Sequence, residues 1–199
     1  MKNRNLLSLI SRRAKNTRDC ESIPLHQARA KIAAAAGFRD EHDLRSLFKA
    51  NPDDYRLLRA ALGLPQLDDF VDAQEDLLTD INDLVEVHFS EAFARWNALD
   101  CGVDKIKARS LKYELRDRIL ILRASVEYAG EQDLNRPCTA TILFLDVEVR
   151  LREEDNKWRV AFSASNDPED IVEDDGFTVL ASKTDAELYR EAEHYGATL

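Results

Sequence analysis

A chain of 199 residues, 44% hydrophobic and 33% charged, carries enough apolar content for one core or two small ones and too much for disorder. Its longest apolar run near the N-terminus, Leu6–Ile10, is shorter than a signal-peptide core, and no segment could span a membrane, so cytoplasmic residence is the expectation. The formal charge of −10 is unevenly spread: residues 1–49 hold 11 Lys/Arg against 5 Asp/Glu, whereas residues 50–100 hold 3 against 12.

The first periodic segment places Leu6, Ile10 and Ala14 four apart, the stripe of an amphipathic helix with a basic opposite face. Pro24 opens a second helix with Leu25, Ala28, Ile32 and Ala35 on one side, and Gly37 ends it. Asp40 caps a third helix bearing Leu44, Leu47 and Phe48, and Asn51 with Pro52 starts a fourth that stops at Gly63. Residues 1–63 thus read as a small helical domain and residues 64–199 as a second one. The latter opens on residues 66–99, whose stripe of Leu67, Val71, Leu78, Ile81, Val85, Ala92, Trp96 and Leu99 fits one helix of about 50 Å or two segments bent near Ser90.

Further on the period changes. Leu111, Leu115, Ile119 and Leu122 fit a helix, while Leu120, Leu122, Ala124, Val126 and Tyr128 alternate as a strand does; the reading is a helix to about 117 and a strand after it. Leu143, Leu145, Val147, Val149 and Leu151 mark a clearer strand, turned at Asp155–Lys157 into one carrying Trp158, Val160 and Phe162. Residues 176–182 form a further strand, and a Thr184–Glu187 capping box starts a last helix that ends near Gly196. The fold class is α+β: a helical N-terminal half, then an antiparallel sheet of about four strands with a C-terminal helix.

Residues 23–47 outline two helices joined at Gly37, the bare form of a helix-turn-helix. A reading helix would enter the groove with Asp40, Glu41 and Asp43 first, and those carboxylates repel phosphates but suit a helix N-terminus. A structural helical pair is therefore preferred. The pattern Ile23, Leu25, Ala28, Ile32-Ala33, Gly37-Phe38-Arg39-Asp40 and Leu44, preceded by a basic helix, resembles a small helical domain of glyoxalase-superfamily-related proteins and of plasmid and phage accessory proteins. The resemblance covers residues 5–50 and implies a compact module often carried on mobile elements. It transfers no catalytic residue.

No GxGxxG, Walker A, GxSxG or HExxH occurs, so phosphate-cradling loops, serine hydrolysis and zinc proteolysis lack their signatures. His26, His42, His88 and His194 stand apart from one another, and Cys20, Cys101 and Cys138 form no CxxC; neither set suggests a metal or redox centre. The acidic stretch 166–176 lacks the ligand order of a calcium loop and reads as a solvated connection. No catalytic, cofactor or metal residue is assigned, and no cofactor is expected.

The strongest signal is acidic. Between Ala60 and Ala94 there is no Lys or Arg, while Asp68, Asp69, Asp72, Glu75, Asp76, Asp80, Asp83 and Glu86 run at helical spacing. On one helix their seven like-charge pairs would cost about 1.5–3.5 kcal/mol, which an ordinary solvated face avoids by mixing signs. Three readings stay open: the chain's own basic N-terminus covers these acids, they dock on a cationic surface of a partner, or the apolar stripe forms a homodimer seam with the acids outside. The functional expectation is a non-enzymatic, mobile-element protein whose acidic helix occupies the basic surface of a nucleic-acid-handling partner, as an anti-CRISPR or anti-restriction inhibitor would. The alternatives are a DNA-binding regulator with Arg12, Arg13, Lys15 and Arg18 on phosphates, and a glyoxalase-related enzyme.

Overall fold

The computed structural model describes residues 6–96, 98–132, 140–154, 157–161 and 176–187. They divide into two compact units: the described residues up to Phe70 together with Ser110–Leu120, and Val71–Arg109 together with the described residues from Ile121 onward.

In the first unit four helices follow the apolar spacing of the sequence: α1 (Leu6–Glu21), α2 (Leu25–Ala35), α3 (Glu41–Ala50) and α4 (Tyr55–Leu62). Ala14, Ala28 and Ala60 are fully buried where α1 meets α2 and α4, and side chains this small let the helix backbones approach closely. Helix α2 ends in a left-handed glycine: Gly37 has φ +84°, its N–H donates to the Ala34 carbonyl, and the Phe38 N–H donates to the Ala33 carbonyl. Asp40 then caps α3 by accepting from the Asp43 N–H at 2.8 Å. Helix α4 corrects its expected start. Its cap is Asp54, which accepts from the Arg56 N–H, and Asn51 and Pro52 lie in the preceding turn.

Two arginines close this unit. Arg13 on α1 donates to the Arg59 and Ala60 carbonyls at the end of α4, and Arg59 donates to the Ala35 and Ala36 carbonyls at the end of α2. Each places a cation on carbonyls in the last turn of a helix, which carry the negative end of its dipole.

The second unit holds a long helix on one face of an antiparallel sheet, of which the strand ends Ser110–Glu114 and Ile119–Leu120 are counted with the first unit. Helix α5 (Glu75–Trp96) begins nine residues later than the spacing suggested and runs about 33 Å without a break at Ser90. Residues 68–73 form turns in which Phe70 and Val71 are buried, so Asp68, Asp69 and Asp72 precede the helix. The pairs that Asp68, Asp69 and Asp72 would have made on one continuous helix are therefore not helical pairs, and the mid-helix repulsion expected from the sequence shrinks accordingly.

The strands are β1 (Ala98–Glu114), β2 (Ile119–Gln132), β3 (Ile142–Glu154), β4 (Lys157–Val160) and β5 (Phe177–Thr184), ordered β1-β2-β3-β4, with β5 also on β3. The sheet has five strands where about four were expected, because the segment read as a helix to about 117 is extended as far as Glu114. Ile106 and Ala108 alternate there with exposed Lys105, Lys107 and Arg109, and residues 115–118 turn the chain into β2 with Arg118 at φ +59°. Strands β4 and β5 share one edge of β3: β4 pairs with Leu151–Glu154 and β5 with Leu143–Val149, bulging beside Asp146 and Val147. At the seam Gly176, φ +72°, accepts from the Arg150 N–H, whose own carbonyl accepts from the Ala161 N–H.

Leu143, Leu145, Val147, Val149 and Leu151 are buried on the inner face of β3 as the alternation requires, beside Val126, Tyr128, Trp158, Val160 and Phe177. Leu77, Ile81, Leu84 and Val85 form the buried stripe of α5, each contributing about 1.5–3 kcal/mol. Phe93 stacks on Tyr128 with centroids 4.6 Å apart, and His88 meets Phe177 at 5.1 Å. Of the stripe considered for a dimer seam, Val71, Ile81 and Val85 are buried within the chain and Leu78 is exposed. Thr184 and Glu187 form the expected capping box, the Glu187 N–H donating to Oγ1 of Thr184 while the Glu187 carboxylate accepts from the Thr184 N–H. Residues 185–187 are helical, the start of the expected C-terminal helix; the residues after 187, Phe162 and the acidic stretch to residue 175 lie outside the described residues.

Burial pushes the Tyr128 phenol up to about 12, with Cys101 and Glu86 adding to it, and pushes Tyr55 up to about 12 as well. Their hydroxyls donate to the Cys101 and Pro65 carbonyls. A raised folded value gives stability that is complete below the unfolded value of about 10 and lost as pH climbs from there toward the folded one. Alkaline absorbance titration is expected to show both phenols ionising near pH 12, and Tyr55→Phe and Tyr128→Phe each to remove one of the two.

Candidate binding faces

Helix α5 sorts its acids by their position around the axis. Asp80, one turn from buried Leu77 and Leu84, points inward and is buried; Arg159 of β4 grips it through both oxygens at 2.6 and 2.8 Å, and the Val160 N–H donates to it at 3.4 Å. Asp76 accepts from Lys157 at 3.0 Å and lies 3.5 Å from Arg159. The Lys157 hydrogen bond, then the charges of Lys157 and Arg159, hold the Asp76 carboxyl below the usual carboxylate range. Two of the acids read as an outward face therefore fasten the helix to the sheet. The cations that meet them come from β4, some 80 residues onward in sequence.

Asp72, Asp83 and Glu86 are exposed and have no ion pair among the described residues; Asp68 and Asp69 are exposed in the first unit. The Glu75 side chain lies outside the described set. Leu78 and Val87, 43% and 53% exposed, flank Asp83 and Glu86 on the solvent side of α5.

Of the four N-terminal cations, Arg12 and Lys15 are exposed. Arg18 pairs with its neighbour Asp19, and Arg13 is turned onto the end of α4, where burial lowers its pKa. The helix-turn-helix acids are similarly engaged: Asp40 caps α3, and Glu41 receives Arg45 at 2.7 Å and Arg29 at 3.4 Å.

The face of the sheet opposite α5 holds a groove of about 470 Å³ that sequence reading missed. Lys105, Lys107 and Arg109 line it from β1, Ser125 and Glu127 from β2, Phe144 and Asp146 from β3 and Lys183 from β5. A hydrogen-bonded chain crosses three strands here: Arg109 Nε donates to Ser125 Oγ, and Ser125 donates to Asp146, both at 2.8 Å. Lys105 pairs with Glu127 and Asp104. Lys107 has no bonded partner among the described residues, and the terminal nitrogens of Arg109 have none. The signal in the sequence was the i,i+2 spacing of three cations, hidden by the helical reading of the same residues.

Among the described residues no three His, Cys, Asp or Glu side chains lie close enough to hold a metal. His26 and His42 are exposed, His88 sits with Nδ1 2.9 Å from the Leu84 carbonyl, and Cys20 is exposed; His194 and Cys138 lie outside the described residues. No described helix is long and apolar enough to cross a membrane. Protein-family models, curated proteins and solved structures yield no match to the chain.

Proposed function

We propose that the protein is a non-enzymatic binding protein that occupies a cationic surface of a nucleic-acid-handling partner, an inhibitor of anti-restriction or anti-CRISPR type being its concrete form. The outer face of α5 supports this reading. Asp83 and Glu86 lie one turn apart, exposed and without an ion pair among the described residues, between exposed Leu78 and Val87 and beyond Asp72. Carboxylates so placed steer and orient an approaching basic surface, while the two apolar side chains supply area to bury. The docking residues in this unit contract to Asp72, Asp83 and Glu86. The regulator alternative has less support, since Arg13 and Arg18 are engaged within the chain.

Capture from a nuclease-treated lysate of the cell that encodes the protein tests the reading. Expected is retention of nucleic-acid-handling proteins at about 50 mM salt and their release by about 200 mM, with no shift of random duplex by the purified chain. Retention indifferent to salt, or a duplex shift abolished by Arg12→Glu and Lys15→Glu, would contradict it.

A further inference from the structure

We propose that the open face of the sheet binds a single strand of nucleic acid, its phosphates along β1 and a base on Phe144. The proposal rests on the groove alone and is independent of any partner of α5. Lys105, Lys107 and Arg109 alternate with inward Ile106 and Ala108, so their side chains repeat about every 6–7 Å along β1; Lys105 is engaged by Asp104 and Glu127, which leaves Lys107 and the terminal nitrogens of Arg109 for two successive phosphates of an extended strand. Half-buried Phe144 lies across the groove, directly opposite Lys183 in the β3–β5 register. A cationic track beside an aromatic platform is the general device for holding single strands, because every base has a face to stack.

The two carboxylates in the groove are already committed, Glu127 to Lys105 and Asp146 to Ser125. Through Ser125, Asp146 positions Arg109 by its Nε and leaves both terminal nitrogens for a phosphate. An acidic peptide extended along β1 would meet the cations at a similar spacing but has no base to stack on Phe144, so the aromatic favours the nucleic acid.

Fluorescence anisotropy of a labelled oligothymidylate about 12 nucleotides long, titrated with the full chain, tests this. Expected is saturable binding at about 50 mM salt that weakens roughly sevenfold by 200 mM, as two phosphate contacts on a single strand require. Lys107→Glu should weaken it at least about tenfold, and Phe144→Ala and Phe144→Leu about fivefold or more. The leucine variant keeps the apolar volume, so its loss reports stacking rather than folding. Asp83→Lys should not weaken binding. Absent binding at low salt, Lys107→Glu behaving as the parent, equal affinity for a duplex, or displacement of the strand by oligoglutamate at equal concentration would each overturn the proposal. Such a failure leaves the partner reading standing, since that is measured on nuclease-treated material.

Discussion

Arg159→Ala is expected to lower stability by about 3 kcal/mol, and by more than Asp80→Ala does. The asymmetry follows from burial. The Asp80 side chain is 8% exposed and the Arg159 side chain 39%, so removing the arginine strands a carboxylate under the sheet, whereas removing the aspartate leaves a guanidinium that water can reach. Asp80→Ala loses charge-assisted hydrogen bonds worth about 1.5–3 kcal/mol and strands nothing charged. Urea midpoints of the two single variants check the order, and an equal or reversed order would contradict the role given to Asp80. The double variant Asp80→Leu/Arg159→Met should recover much of the loss, because a buried ion pair contributes little beyond an apolar pair of similar volume.

Gly176→Ala is the second large effect. At φ +72° an alanine is strained by about 1–2 kcal/mol, and its Cβ would also stand 2.5 Å from the Ala161 carbonyl oxygen and 3.3 Å from that of Arg150. Those atoms belong to backbone hydrogen-bonded across the seam where β3 exchanges β4 for β5, so relief requires moving strands. A total loss of about 3 kcal/mol or more is expected. Gly63→Ala and Gly37→Ala form the comparison. At Gly37 nothing lies nearer than 4.0 Å, so about 1 kcal/mol of backbone strain acts alone, and at Gly63 the obstacle is the end of the Arg13 side chain, 2.8 Å away, which can swing aside at the cost of its bonds to α4 without moving backbone. Denaturant midpoints should fall furthest for Gly176; equal shifts at all three glycines would show that the seam is not tight.

What could be read without coordinates was local. The even alternation of Leu143 to Leu151 marked β3, Gly37 and Asp40 marked the junction of α2 and α3, and Thr184 with Glu187 marked a helix start. Residues 105–122 misled because Leu111, Leu115, Ile119 and Leu122 sit at helical spacing only by spanning the β1–β2 turn; the i,i+2 cations between Lys105 and Arg109 were the better guide. The acidic face was legible as composition but not as geometry. Whether Asp80 looks outward depends on Arg159 and on where α5 begins, and pairing between β4 and α5 has no periodic trace. The groove on the open face draws on β1, β2, β3 and β5, which no window along the chain brings together.

We propose that α5 holds the fold through Asp76 and Asp80, while its Asp83 and Glu86, with Asp72 in the turn before it, are the residues that meet a partner. Reversing the latter three to Lys and following both thermal midpoint and partner capture tests it most directly. The expected result is an unfolding midpoint within a few degrees of the parent, corresponding to about 1 kcal/mol or less, together with loss of the salt-sensitive partners. Undiminished capture by the folded triple variant would contradict it.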